Sequence, residues 1–257
     1  MRTFTALIKK EITEQLRAGK LTVLFILFAL FGIMNPAVAK LTPWLLKTFS
    51  DSLASGGIVI GGEVSVSALD SWAQFYKNIP MGLMVFVLLE SSIFTKEYNT
   101  GTLVLSLTKG LRRFEVVLSK MIILISLWTL GYLVCFGITY VYNDIFWDNG
   151  IAQSLGFSVF SYWLFGIFVI SLMVIFSVIS STNTGVLVGT GAVTFAMIFI
   201  GMIPKVNKYL PTMLSDGTSL VYGLEISETY IASIIITLIL AVACFAVSVP
   251  IFNRKQI

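Results

Sequence analysis

Hydrophobic positions in this chain occur in long unbroken stretches and do not alternate with polar ones. Six apolar runs approach or exceed the roughly 20 residues that an α-helix needs to cross about 30 Å of hydrocarbon. They predict membrane spans at about 21–38, 79–95, 117–142, 157–180, 185–203 and 229–251. The expected fold class is therefore an all-α integral membrane protein with six transmembrane helices, forming a single transmembrane domain over residues 1–257.

The polar leader, residues 1–20, has a helical period of its own. Its apolar residues share one face of a helix and its charged residues lie elsewhere: Phe4, Leu7, Ile8, Ile12 and Leu16 against Lys9, Lys10, Glu14 and Arg17. An amphipathic helix with a cationic polar face is typical of a segment that lies in the membrane interface. We expect an N-terminal interfacial helix that anchors the chain, with a partner-binding helix as the alternative.

The charged residues divide unevenly between the two sides that these spans define. If both termini share one side, segments 1–20, 96–120 and 252–257 hold most of the 17 Lys and Arg residues, and most of the 13 acids lie opposite. The positive-inside rule then predicts that both termini are cytoplasmic. The net charge of +4 is an orientation signal, since the basic residues form no continuous stripe of the kind that binds nucleic acid.

Composition argues against an enzyme that works inside the membrane. Charged residues make up 12% of the chain, about half of the roughly 25% usual for soluble domains, and histidine is absent. Glu90 is the one acid within a predicted span, so neither a zinc site nor an aspartyl dyad can be assembled, and we expect no metal or catalytic residue. Glu90 is a candidate for lining a pathway, for pairing with another span, or for lying near the headgroups.

One polar segment, residues 96–116 after the second span, carries the most specific motif. Glu97 precedes the block Gly101-Thr102-Leu103, a leucine-rich turn follows to Leu107, and Arg113 closes it. In this order of elements the chain resembles the permease subunit of type-2 ABC transporters, the ABC-2 exporter family. The proline that usually precedes the basic cluster in that family is replaced here by Gly110.

The resemblance implies that residues 97–107 form a coupling helix seated in a cleft of a cytoplasmic ATPase. The implied docking residues are Glu97, Tyr98, Gly101, Thr102, Leu103, Leu107 and Arg113. The chain contains no G-x-x-x-x-G-K-[ST] loop, so we expect ATP and Mg²⁺ to be bound by a separate ATPase subunit, present in two copies.

Small residues mark one face of the fifth span, at Gly185, Gly189, Ala192 and Ala196. Such residues let helices in lipid approach closely. The contact can lie within one chain, or, as the resemblance implies, between two permease copies in a homodimer or a pair of close paralogues.

Taken with the resemblance, these features predict the transmembrane subunit of an ATP-driven exporter in a bacterial plasma membrane. The expected cargo is an amphipathic peptide, such as an antimicrobial peptide, or a hydrophobic compound. A stand-alone secondary transporter and a non-transporting regulatory or immunity protein are the alternatives. Two outer segments complete the expectations: 47–78, with a strand-like part and a short amphipathic helix, and 204–228, whose two prolines suit a loop that dips back into the membrane.

Overall fold

A computed structural model describes residues 2–54, 65–108 and 110–255, and within these ranges the chain is helical without strands. Eleven α-helices follow one another: α1 (Arg2–Arg17), α2 (Lys20–Ala54), α3 (Ala68–Glu90), α4 (Ser92–Thr100), α5 (Thr102–Thr108), α6 (Arg113–Phe146), α7 (Leu155–Ile179), α8 (Asn183–Gly201), α9 (Pro204–Asn207), α10 (Gly217–Val221) and α11 (Ile231–Arg254). Single 3-10 turns lie at Asn149–Ile151, Pro211–Ser215 and Ser227–Tyr230.

Six of the described helical segments are long and apolar enough to cross a membrane, which confirms the predicted fold class. They are α2, α3 continuing through α4, α6, α7, α8 and the 3-10 turn that leads into α11. The polar turn of residues 180–182 joins α7 to α8 in a tight hairpin. The sidedness of the termini stays a prediction.

Two helices extend beyond their predicted ends. Because proline lacks a backbone donor, the Asn35-Pro36 pair is expected from the sequence to kink or end the first span. It does not end it, since α2 continues through Pro36 and Pro43 to Ala54. Proline is tolerated in a membrane helix when neighbouring groups satisfy the freed backbone. Pro36 leaves the Gly32 carbonyl without its helical donor, and this carbonyl accepts a hydrogen bond from the Thr139 hydroxyl of α6 at 3.2 Å. The adjacent Asn35 is fully buried, where it donates to Thr139 and accepts from Asn78 of α3.

The second extension corrects the prediction for the outer segment before span two. The expected short amphipathic helix there is the first part of α3 itself, which starts at a capping box formed by Ser67 and Asp70. The strand-like stretch predicted within 55–64 lies outside the described residues.

The bundle is organised around α7, the most buried of the six spans. Helices α6, α8 and α11 pack against α7, and α2 packs against α3 and α6. Both ends of the described chain, α4, α5 and the α7–α8 turn lie together at one end of the bundle, which we call the terminal end.

Segment 204–228 at the opposite end is folded into short helices. Leu214 and its neighbours Thr212 and Met213 are buried against α7 and α11. The Ser233 hydroxyl at the start of α11 donates to the carbonyls of Lys208 and Leu210 at 2.9 and 3.0 Å. The segment is thus an integral part of the bundle.

Aromatic rings fill the space between α2, α3, α6 and α7, and two glycines make room for them. A Cβ at Gly131 would lie 2.4 Å from the ring of Phe28, and one at Gly166 would lie 2.3 Å from the ring of Trp128. Both rings are fully buried and contact each other edge to face. The helices can approach this closely only because these positions carry no side chain.

We predict that Gly131→Ala destabilises the protein by about 1–3 kcal/mol, because the added methyl forces the buried Phe28 ring out of place. Gly137→Ala in the same helix is the matched control, since a Cβ there meets nothing within 4 Å. Alanine favours the helix by up to about 1 kcal/mol over glycine, so the control should be neutral or stabilising. Thermal unfolding in detergent compares the two, and equal midpoints would contradict the packing account.

Candidate coupling site and its ionic cluster

The segment predicted to contact an ATPase forms two short helices, α4 and α5, at the terminal end. Gly101 separates them in the left-handed conformation, with φ of 66°, and its N–H donates to the Tyr98 carbonyl at 3.3 Å. A Cβ at Gly101 would meet nothing within 4 Å, so glycine is favoured there for its backbone conformation. The chain can therefore turn sharply from α4 into α5.

Four charged side chains from three helices meet beneath α4, and we call them the ionic cluster: Lys10 and Glu11 of α1, Glu97 of α4 and Lys120 of α6. The Lys120 ammonium lies 3.1 and 3.2 Å from the two oxygens of Glu11 and 3.0 Å from Glu97 Oε2. Lys10 donates to the other oxygen of Glu97. The two positive and two negative charges balance.

Lys120 is the centre of this cluster. It is 1% exposed, and its ammonium also donates to the carbonyl of Ile93 at 2.9 Å, so its three protons have three partners in Glu11, Glu97 and Ile93. An ammonium so far from water is tolerated only when it is paired and fully hydrogen-bonded. Through this one group α6 is joined to α1 and α4.

Two further charge pairs flank the cluster. Glu90, at the end of α3, is fully buried, accepts a hydrogen bond from Gln15 at 2.7 Å and lies 3.6 Å from the Lys20 ammonium. Lys96 donates to Glu14 at 2.7 Å nearer the surface. Of the expectations for Glu90, the structure shows pairing with another segment of the chain.

The contacts of α1 with α4 shift the pKa values of two α1 side chains. Burial opposes the charge of Lys10, but the hydrogen bond and charge of Glu97, with the charges of Glu11 and Glu14, raise the pKa of Lys10 above its usual value. The hydrogen bond from Lys96 lowers the pKa of Glu14, against the effect of burial. Both shifts favour the charged forms that bind α1 to α4 near neutral pH.

The end of α11 is fixed to the same region by two cations. Arg113 donates to the carbonyls of Asn253 and Lys255 at 3.2 and 2.8 Å, and also to that of Phe252. The Lys255 ammonium donates to carbonyls at the end of α7, at 2.8 Å for Val178, and lies 4.1 Å from the centre of the Tyr98 ring. Cations at the carbonyl ends of helices are favoured by the helix dipole.

The predicted docking residues therefore divide into an inner and an outer set. The inner set makes contacts within the chain, and comprises Glu97, Leu103, Tyr98 and Arg113. Leu107 is half-buried against the core. Thr102 is exposed, as are Asn99, Thr100 and Val104, which the motif does not single out. Contact with a partner stays a prediction for all of them.

The sequence did not single out Glu11, Gln15 or Lys120. The leader's predicted apolar face is split in the structure, because Ile12 and Leu16 are exposed while Glu11 and Gln15 are buried. The available signal was that Glu11 and Gln15 follow the apolar Leu7 at intervals of four residues, on the same face of the helix. Without the positions of α4 and α6, Glu11 and Gln15 look like ordinary exposed polar residues.

The predicted small-residue face of α8 also divides. Gly185 and Gly189 pack within the chain, where an added Cβ would lie 2.1 Å from Ser180 Oγ and 2.3 Å from the Phe176 ring of α7. Ala192 and Ala196 are exposed on the outer side of α8. Of the four predicted residues, the two alanines are the ones exposed to a possible second copy.

The cluster is unsuited to a metal ion. Within the described ranges no three of the Asp, Glu, Cys and His side chains converge as metal ligands. Lysine ammonium groups already occupy the space between the carboxylates. The arrangement can bind helices together, and its chemistry is electrostatic and structural.

We predict that Lys120→Met destabilises the protein by about 3–5 kcal/mol, because it leaves buried carboxylates without their main partner. The matched control is Lys96→Met, whose exposed pair with Glu14 should contribute less than about 1 kcal/mol. Adding Glu11→Gln to Lys120→Met should recover part of the loss, since Glu11 is the carboxylate left without its hydrogen-bonded cation, whereas Glu97 keeps Lys10. Unfolding in detergent measures all three, and similar losses for the two lysine variants would refute the assignment.

Comparison with known proteins agrees with the architecture. Residues 5–217 match the family described as "ABC-2 family transporter protein", which covers most of the chain. The "Uncharacterized transmembrane protein YxlG" of Bacillus subtilis (strain 168) is 23% identical over 216 residues, covering 82% of this chain and 81% of that protein. Six membrane-spanning segments and this match over most of its length show that the chain belongs to the ABC-2 family of ABC transporter membrane components.

Proposed function

We propose that this protein is the transmembrane subunit of an ATP-driven exporter, which moves an amphipathic peptide or hydrophobic compound outward. Membership of the ABC-2 family implies association with an ABC ATPase subunit. In the proposed assembly two copies of the chain form the pathway, and two ATPase subunits bind at the terminal end, which faces the cytoplasm. The ATPase subunits bind ATP and Mg²⁺.

The observation that carries this proposal is the two-sided construction of α4 and α5. Their inner side is fixed to the bundle, with Glu97 and Leu103 buried at 4% and 1% exposure. Their outer side presents Asn99, Thr102 and Val104 to the surroundings. A segment that transmits force from a partner needs an accessible surface and a rigid attachment to the rest of the protein. Helices α4 and α5 have both.

The contacts of α4 suggest how ATPase movement reaches the spans. Lys120 and Lys10 join α4 to α6 and α1, and the Thr95 hydroxyl donates to Asn183 at the start of α8. A displacement of α4 is therefore passed to three other helices as a rigid-body movement, the kind of change that differential contacts in two states can drive.

The second copy is proposed to contact α8. This helix is the least buried of the six spans, and its outer side carries Ala192, Ala196 and large apolar residues such as Phe195 and Phe199. Alanines between bulky side chains allow another helix to approach closely in lipid.

We predict that Val104→Asp abolishes co-purification of an ABC ATPase from native membranes in mild detergent, because it adds a charge on the proposed contact surface. Val104 is 39% exposed, so the variant should insert and fold normally. Ser181→Asp, on the exposed α7–α8 turn at the same end, is the matched control and should retain the ATPase. Mass spectrometry of the co-purified proteins provides the measurement.

Retention of an ATPase by both variants would exclude the outer side of α4 and α5 as its contact. Purification of the unmodified chain without any ATPase would contradict the exporter proposal as a whole.

A further inference from the structure

A cationic groove runs along α1 on the side facing α4, beside the ionic cluster. The groove is open to the surroundings and has a volume of about 660 Å³, which is within the range of small-ligand sites. Its polar lining is formed by Lys9, Lys10, Thr13, Glu14 and Arg17 of α1 with Lys96 of α4. Four cations and one acid therefore surround the same space.

Charge pairing leaves this groove with an excess of positive charge. Lys10 is paired with Glu97, and Lys96 with the groove's single acid, Glu14. Lys9 and Arg17 have no ion pair with any residue that the structure describes, and both are exposed. Two uncompensated cations in one groove favour an anionic ligand.

The surroundings of the groove indicate which anion fits. Helix α1 has three faces: one buried with Glu11 and Gln15, one exposed and apolar with Ile12 and Leu16, and one cationic that lines the groove. A helix with exposed apolar and cationic faces is suited to the membrane interface. The groove therefore lies where lipid headgroups are available.

The start of the first span provides the second half of a lipid site. Helix α2 begins at Lys20, directly after the groove residues Arg17 and Ala18, and exposes Val23 and Ile26 in its first two turns. A phosphate held at Arg17 would leave its acyl chains beside this apolar surface. A free anion or an acidic protein surface would contact the cations but would not need the adjacent apolar surface of α2.

We propose that the cationic groove binds the phosphate headgroup of an anionic phospholipid, with Arg17 and Lys9 as its principal contacts. Arginine suits phosphate because its planar guanidinium donates two parallel hydrogen bonds, and lysine adds a point charge. The bound lipid neutralises the cationic side of α1, the helix that supports α4 from beneath. This proposal does not depend on the identity of the cargo or of the ATPase.

The test compares lipid binding by the full chain in a neutral detergent, using native mass spectrometry. Phosphatidylglycerol should bind in preference to zwitterionic phosphatidylcholine. The double variant Lys9→Gln/Arg17→Gln should reduce phosphatidylglycerol binding by roughly 25- to 30-fold, since each cation near an anionic lipid contributes about fivefold. The matched control, Lys205→Gln/Lys208→Gln, removes two exposed lysines at the opposite end and should leave binding unchanged.

Three results would overturn the proposal. The first is a failure of either lipid comparison: equal binding of the two lipids by the unmodified chain, or unchanged phosphatidylglycerol binding by the double variant. The second is competition by soluble glycerol phosphate at the same concentration as the lipid, which would make the groove a site for free phosphate. The third is loss of ATPase co-purification in the double variant while lipid preference is retained, which would identify a protein contact.

Discussion

The buried ammonium of Lys120 joins α1, α4 and α6, and the structure of the terminal end depends on these contacts. It is withdrawn from water in a chain that has few charges, and it is held by Glu11, Glu97 and the carbonyl of Ile93. A buried ion pair stabilises a protein little more than apolar side chains of the same size would. Removing one partner nevertheless destabilises the protein strongly, because the remaining charge is buried without a counter-charge. The arrangement therefore favours one geometry of α1, α4 and α6 over looser alternatives.

This geometry gives α4 and α5, the segment proposed to contact an ATPase, an inner and an outer side. With Glu97 and Leu103 directed inward, the exposed residues of α4 and α5 include Asn99, Thr102 and Val104, which we call the ridge. Arg113 and Lys255 fix the ends of α11 and α7 to the same region. A partner that contacts the ridge would act on most of the bundle, which is the property that an ATP-driven transporter requires of its membrane subunit.

The sequence was sufficient for the architecture but not for the interior of the site. Membrane spans can be predicted from the sequence because lipid requires long apolar helices, and each such helix appears as one continuous hydrophobic run. The fate of Asn35-Pro36 was not predictable, since it depends on Asn78 and Thr139 from other helices. The same holds for Glu97, which reads as a surface anchor in the motif and is buried only because Lys10 and Lys120 come from distant segments.

The most direct test of the account is site-specific photo-crosslinking in native membranes. A photoreactive residue is placed at position 104, on the outer side of α5, and for comparison at position 181, on the exposed α7–α8 turn. We predict a covalent adduct from position 104 to a protein with an ATP-binding phosphate loop, and none from position 181. Adducts to lipid alone at position 104, or equal adducts at both positions, would contradict it.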